Sequence, residues 1–194
     1  MKSDVSTLAW PSERDACGVG FVADTSGRRS HTVLQHALTA LENLSHRGAV
    51  SADGLTGDGA GVLAQLPHKL FRRVLGEAGV ALEHDTDLAV GVFFVSNASQ
   101  FDELYRIADE VIAASGVKLL LWREVPVDTS ALGEEAAARL PVMRQVLLGR
   151  PAGLDDDAFE RLLYLTRKRI ERRLFDLQLG AFYIPSFSDR KSVV

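Results

Sequence analysis

The sequence contains very little cysteine. Only Cys17 is a cysteine among 194 residues, so the chain cannot form a disulfide within itself. This usage is typical of a reducing compartment, and it predicts a cytoplasmic location. The chain also lacks any apolar run near the ~18 residues of a membrane-spanning helix, which predicts no membrane partner.

Positive charge is not in excess either. The chain has 22 Lys and Arg against 26 Asp and Glu, a net charge of −4, and its isoelectric point is about 5.7. This balance provides no electrostatic attraction for nucleic acid or an anionic membrane surface. The five histidines are scattered without the spacing of metal ligands, so we expect no metal site in this chain.

Apolar residues are plentiful: the sequence is 46% hydrophobic and 25% charged, which predicts one soluble domain with a sizeable core. Hydrophobic periodicity and turn signals indicate alternating strands and helices. A possible small lobe covers about residues 88–150, where a strand, an amphipathic helix and two further strands follow one another. Strands are expected at 18–23, 62–66, 88–95, 117–122, 142–148 and 180–187, and helices at 67–76, 101–116 and 158–174.

A further helix is predicted after a turn over Asp24–Gly27, with Ser30 as its N-cap. Its apolar residues recur at spacings of three and four, so we expect this stripe to lie on a sheet. The end of the helix leads to His46, which we interpret as structural, and to Arg47. The stripe consists of Val33, Leu34, Ala37, Leu38, Leu41 and Leu44.

Cys17 lies in the segment Asp15–Phe21, where Gly18 and Gly20 leave room for close approach of backbone or ligand. On composition alone, a single cysteine is more often a small buried hydrophobe than a nucleophile. The polar residues 1–16 resemble a removable leader rather than a signal peptide. Their removal would place an α-amine, with a pKa near ~8, on the same residue as the thiol, where it could act as a base.

The glycine-rich run from Gly54 to Gly61 has two interpretations. Exposed backbone amides can bind an anion, which would suit a nucleotide-binding module. The run lacks the Gly-Lys-Ser/Thr ending of a phosphate loop and precedes a strand, so a tight turn between core strands is the favoured interpretation. Asp53 and Asp58 are then expected to be turn-forming side chains.

Three motifs together resemble a known family. They are Cys17–Phe21, His46–Ala49 and Asp53–Gly61, followed by later landmarks at 122–128 and 141–145. The chain is similar, over roughly residues 15–188, to the N-terminal glutaminase domain of the glutamate synthase large subunit. That domain is a class II glutamine amidotransferase. The resemblance implies an α+β fold of the N-terminal-nucleophile hydrolase type, with four αββα layers.

The resemblance also implies roles for individual residues. Cys17 would be the catalytic nucleophile, Arg47 would orient the thiol and the terminal amine, and Gly48 would allow close approach of the substrate, L-glutamine. Residues 1–16 would be the leader and 17–194 part of the amidotransferase domain. The family's oxyanion-hole Asn-Gly pair and its glutamine-clamping residues cannot be assigned, so we expect a domain incomplete at its C-terminus, with little activity alone.

In the parent enzyme, as the resemblance implies, the released ammonia would aminate 2-oxoglutarate to glutamate. That reaction would need FMN, an iron–sulfur cluster and electrons from NADPH or ferredoxin, none of them bound by this chain. The expected partners are the remaining domains of the large subunit and a small electron-transfer subunit. An alternative hypothesis is a catalytically inert association module, which folds with a partner along an exposed final strand at 181–187.

Overall fold

The computed structural model describes residues 18–96, 98–179 and 182–193. Residue 193 is described by its backbone only. The helices and strands alternate along the chain, as the hydrophobic pattern predicts. The helices are α1 His31–Asn43, α2 His68–Glu77, α3 Phe101–Ala114, α4 Glu134–Ala138 and α5 Asp156–Asp176, and the strands are β1 Leu63–Gln65, β2 Leu88–Val95, β3 Lys118–Glu124, β4 Val142–Gly149, β5 Phe182–Ser188 and β6 Lys191–Val193.

The centre of the fold is an antiparallel sheet with the strand order β3-β4-β2-β5. Strand β2 has the bounds predicted from its apolar run and lies between β4 and β5, so both of its hydrogen-bonding edges are paired. Seven of its eight residues are buried, because helices cover both faces of the sheet. Its pairing with β4 runs from Leu88 opposite Gly149 to Val95 opposite Val142. The mixture of helices with an antiparallel sheet confirms the α+β class.

Helices α3 and α5 cover one face of this sheet. Phe93 of β2 and Phe159 and Leu163 of α5 are fully buried there, and they belong to the larger of two hydrophobic clusters. Helix α5 begins two residues before the start predicted at 158, and Asp155 caps it, because its carboxylate accepts a 2.7 Å hydrogen bond from the amide of Ala158. The opposite face is covered by α2, whose Phe71 and Leu75 pack in the smaller cluster.

Glycine at position 91 permits close packing in the middle of β2. A Cβ atom built there would lie 2.2 Å from Cε2 of Phe187 and 2.7 Å from Cγ1 of Val146. Both distances are below van der Waals contact, so a larger side chain would displace the Phe187 ring. That ring packs edge-on against Phe93, with centroids 6.0 Å apart. The hydrogen atom of Gly91 therefore leaves the space that the aromatic pair fills.

Residues 18–65, called here the N-terminal segment, are built differently from the rest. The predicted turn forms, with the amide of Gly27 donating to the carbonyl of Asp24 over 2.9 Å. Ser30 caps α1 by accepting from the amide of Thr32 over 3.1 Å, as predicted. No residue from 18 to 65 is buried.

Two predictions about this segment are wrong. Residues 18–23 form no strand, and the side chains of Val19 and Phe21 are 93% and 95% exposed. The apolar stripe of α1 does not lie on the sheet, since no residue of the helix is buried. Periodicity shows which side of a helix is apolar, but it does not identify the element that covers it. Neither element finds a covering layer among the described residues.

The second sheet was not predicted. Strand β6 pairs antiparallel with β1, from Gln65 opposite Lys191 to Leu63 opposite Val193. The hydroxyl of Ser188 accepts hydrogen bonds from the amides of Arg190 and Lys191 and so closes the turn from β5 to β6. This pairing connects the N-terminal segment to residues 66–193, which we call the sheet unit.

The strands predicted for a lobe at 88–150 share one sheet with β5. The division of the chain, including the leader at 1–16, stays a prediction, and residues 1–17 lie outside the described part of the chain. Strand β5 is at the edge of its sheet, although Gly180 and Ala181, predicted to begin it, are also outside the described residues. None of the described helices has the length and apolarity needed to cross a bilayer.

Candidate functional site

Arg47 ends a short 3₁₀ turn, Ser45–Arg47, that directly follows α1. The turn is held by two backbone hydrogen bonds, from the Arg47 amide to the carbonyl of Leu44 over 2.8 Å and from the Gly48 amide to that of Ser45 over 3.2 Å. Nδ1 of His46 lies 2.9 Å from the carbonyl oxygen of Asn43, which fits its structural interpretation. Within the described residues, the Arg47 guanidinium has no carboxylate or hydrogen-bond partner.

The described chain begins next to this turn. A Cβ atom built on Gly18 would lie 3.4 Å from both terminal methyl carbons of Leu44 and 3.8 Å from Cγ of Arg47. Gly18 and Arg47 are therefore neighbours in space, although α1 separates them in sequence. Cys17 itself lies outside the described residues, so its side chain is not placed.

A hairpin follows Gly48 and leads into the glycine-rich run. We call residues 49–58 the glycine hairpin. At its base the amide of Ala49 donates to Oδ2 of Asp58 over 2.8 Å. Next to this contact, Val50 and Gly57 form an isolated antiparallel bridge, and the amide of Ser51 donates to the carbonyl of Thr56 over 2.7 Å. The hairpin is thus closed by hydrogen bonds rather than by an apolar core.

Asp53 organises the tip of the hairpin. Its Oδ1 accepts from the amides of Leu55 and Thr56 over 2.9 and 2.7 Å, and its Oδ2 accepts from the Thr56 hydroxyl over 2.5 Å. These bonds lower the pKa of the Asp53 carboxyl, and the bond from the Thr56 hydroxyl has the largest effect. Gly54 has a φ of +69°, which only glycine adopts without strain.

These contacts confirm a turn stabilised by Asp53 and Asp58. The turn does not lie between core strands, because no residue from 49 to 65 is buried. The amides of Leu55 and Thr56, which a phosphate would need, already donate to a carboxylate. A second negative charge beside that carboxylate would be repelled. The geometry of the hairpin therefore disfavours the nucleotide-binding alternative.

Sequence reasoning missed Gly133, the residue before α4. It is buried, and its Cα faces the Asp53 and Thr56 side chains at the tip of the hairpin. Glu135 in α4 is exposed and accepts a 3.1 Å hydrogen bond from the hydroxyl of Ser51. No local sequence pattern predicts these contacts, because the hairpin and residues 133–135 are far apart in sequence and only the fold brings them together.

Comparison with protein families identifies the class of this domain. The family model for class-II glutamine amidotransferases matches residues 17–194. The chain therefore belongs to this family, and its fold is that of the N-terminal-nucleophile hydrolases.

The chain is similar to the N-terminal part of several glutamate synthases. The glutamate synthase [NADPH] large chain of Azospirillum brasilense is 39% identical over 186 residues, covering 93% of this chain and 12% of the relative. Ferredoxin-dependent glutamate synthase 2 of Synechocystis is 37% identical over 182 residues, covering 93% and 11%. The glutamate synthase [NADH] of Schizosaccharomyces pombe is 37% identical over 164 residues, covering 81% and 8%. The chain thus spans about a tenth of the length of these relatives.

Proposed function

We propose that this chain carries the nucleophile and part of the glutamine site of a glutamate synthase, with Cys17, Arg47 and Gly48 as site residues. The observation that carries the proposal is the proximity of Gly18 to the side chain of Arg47, whose Cγ would lie 3.8 Å from a Cβ atom built on Gly18. Gly18 is bonded directly to Cys17, so this proximity supports a thiol and a guanidinium in the same site. The start of the family match at residue 17 supports cleavage after residue 16.

The chemistry is hydrolysis of the side-chain amide of glutamine. Removal of residues 1–16 gives Cys17 a free α-amine, which takes the proton from the thiol. The thiolate attacks the amide carbon, the C–N bond breaks, and the amine passes its proton to the departing ammonia. Water then attacks the thioester carbon, releasing glutamate and restoring the thiol.

Arg47 suits an orienting role because its guanidinium presents five donors in a fixed plane. Its guanidinium is exposed and makes no ion pair with a described residue, so its donors are available to a substrate or to the terminal residue. Gly48 lies where the 3₁₀ turn passes into the hairpin, and without a side chain it leaves room for substrate beside Arg47.

The Asn-Gly pair of the expected oxyanion hole is absent from the given sequence. Its two asparagines, Asn43 and Asn97, are followed by leucine and alanine, so no Asn-Gly pair is available for an oxyanion hole. Loss of one oxyanion donor lowers turnover by roughly 10²–10³-fold. Labelling of the nucleophile is therefore a better assay of this chain than turnover.

The remaining chemistry of a glutamate synthase belongs to groups outside this chain. An iron–sulfur cluster is held by several cysteine thiolates, usually four, and the chain has one cysteine, so its residues do not fit this group. We place the cluster, FMN and the NADPH or ferredoxin site in the remaining domains of the large subunit and a small subunit. Ammonia would pass to those domains in the cytoplasm and aminate 2-oxoglutarate.

Mass spectrometry and affinity labelling test the proposal. The mature N-terminus is expected at Cys17, and a diazo-ketone analogue of glutamine is expected to alkylate that thiol. Glutamine should protect the thiol, and Arg47→Lys should slow the labelling, since lysine lacks the planar fork. A folded chain that starts at Cys17 and is not labelled would contradict the proposal.

The edge position of β5 favours an association module as a second candidate. The side chains of Tyr183 on this strand and Phe175 at the end of α5 are 65% and 75% exposed. Among the described residues no strand pairs with the outer edge of β5, and such an edge beside exposed aromatic rings is a template for a strand from a partner. Size-exclusion chromatography and circular dichroism distinguish the candidates, because a stable monomer that reacts with the analogue excludes an inert module.

A further inference from the structure

The tip of the glycine hairpin lies directly against Gly133. A Cβ atom built on Gly133 would lie 2.3 Å from Oδ2 of Asp53 and 2.5 Å from Oγ1 of Thr56. Real Cβ atoms essentially never approach oxygen atoms so closely, so any larger residue at 133 would have to displace the tip.

Glycine is required at this position for its size and not for its backbone. Gly133 has a φ of −70° and a ψ of 163°, an extended conformation that any residue can adopt. An alanine would therefore strain nothing at position 133 itself. Its whole effect would fall on the two side chains that face it.

Those two side chains cannot easily move aside. Asp53 and Thr56 are hydrogen-bonded to each other, and Asp53 also accepts from the Leu55 and Thr56 amides. Displacing either side chain would break bonds that define the turn. The Ser51–Glu135 hydrogen bond holds the adjacent part of the hairpin against the same segment.

The base of the hairpin leads directly to the candidate site. The Ala49 amide is bonded to Asp58 and follows Gly48, whose own amide closes the turn that carries Arg47. A shift of the tip is transmitted along this hydrogen-bonded ribbon, because few apolar contacts hold the N-terminal segment in place. A 1 Å displacement of a positioning group can lower a rate by ~10²-fold.

We infer that Gly133 is a positioning residue for the Arg47–Gly48 turn and acts through the glycine hairpin, with Glu135 as a second anchor. The functional part of this inference rests on the proposed glutamine site. The structural part, the docking of the hairpin on residues 133–135, does not.

The test uses the full-length natural chain and the variant Gly133→Ala. Hydrogen–deuterium exchange of peptides covering residues 44–58 reports on the hairpin whether or not the site binds glutamine. We expect faster exchange there in the variant. The matched control is Gly76→Ala: Gly76 lies in α2 with no atom within 4 Å of a built Cβ, and its variant should leave residues 44–58 unchanged.

The rate of Cys17 labelling reports on the site. The diazo-ketone analogue must be oriented by the site, whereas chloroacetamide needs only an accessible thiol. Gly133→Ala is expected to slow the analogue by roughly 10–100-fold and chloroacetamide by less than about twofold. General loss of structure would change both rates together. Ser51→Ala removes one anchoring hydrogen bond without adding a side chain that could clash. It should slow labelling by the analogue less than Gly133→Ala does. If Gly133→Ala does not fold, Ser51→Ala takes its place in both measurements.

The outcomes separate the two ideas. Unchanged exchange in Gly133→Ala and Ser51→Ala would overturn the docking of the hairpin. Faster exchange with unchanged analogue labelling would overturn the positioning role. Faster exchange in a protein whose wild type is never labelled by the analogue would contradict the proposed function, while the docking of the hairpin on Gly133 would stand.

Discussion

The N-terminal segment and the sheet unit are stabilised in different ways. In the sheet unit the side chains of Phe93, Leu163 and their neighbours are fully buried, whereas no residue of 18–65 is buried. The segment is held by capped turns, carboxylate–amide bonds and the short pairing of β1 with β6. The candidate site residues Arg47 and Gly48 lie in the segment that lacks a core. The site therefore depends on hydrogen-bond geometry. The N-terminal segment is joined to the sheet unit by the pairing of β1 with β6 and by the Ser51–Glu135 hydrogen bond.

The largest test of this comparison replaces one leucine in each region. Leu163→Ala removes a fully buried side chain from α5, and we expect it to lower the free energy of unfolding by about 2–5 kcal/mol. Leu38→Ala in α1 removes a side chain that is 43% exposed, and about 1 kcal/mol or less is expected. Urea unfolding followed by circular dichroism measures both. Equal losses would mean that α1 is buried in solution, against residues outside the described part of the chain or against a partner.

A smaller test compares the two N-caps. Asp155→Ala removes the cap of α5 and should lower global stability by about 1 kcal/mol, because α5 is part of the core. Ser30→Ala removes the equivalent bond from α1. We expect it to speed amide exchange in α1 and to leave the unfolding midpoint unchanged. A global loss in Ser30→Ala would contradict the view that α1 contributes little to the core.

A third test concerns the junction between the two regions. Burial, together with the neighbouring Glu160 carboxylate, raises the pKa of Asp189 to about 7 in the turn from β5 to β6, although Arg150 and Arg190 oppose the shift. The folded chain thus holds a proton that the unfolded chain has lost above about pH 4. The contribution of Asp189 to stability is present below that pH and is lost as the pH rises through about 7.

Asp189→Asn removes this titration. The stability of the wild type relative to the variant should therefore fall from about pH 4.5 to about pH 7.5. Comparing the variant with the wild type at each pH cancels the titration of the other carboxylates. A difference between the two proteins that stays constant with pH would contradict the raised pKa.

Local features could be predicted from the sequence because their signals are local. The bounds of β2 follow from its apolar run, and the start of α1 follows from its N-cap Ser30. The turn formed by Asp53 and Asp58 follows from the same short-range chemistry. In the cap of α1 and in the glycine hairpin, the residues that make the bonds are within ten positions of one another.

Features that join distant segments could not be predicted. The pairing of β6 with β1 and the contact of Gly133 with Asp53 link parts of the chain far apart in sequence. The stripe of α1 was assigned to a sheet because an apolar face usually has a partner, yet no described layer covers it. For the site, the motifs indicated Arg47 and Gly48, but only the fold brings Gly18 beside Arg47.

The pairing of β1 with β6 also places the beginning and the end of the sheet unit side by side, since the amide of Leu66 donates to the carbonyl of Arg190 over 3.2 Å. Adjacent termini can be joined by a short loop, and new termini are best tolerated at exposed turns. Exposed Gly79, at the end of α2, lies at such a turn. A circular permutant of the sheet unit, opened there, would keep every strand of the four-stranded sheet. Cys17 and the N-terminal segment would then form a separate, exchangeable peptide.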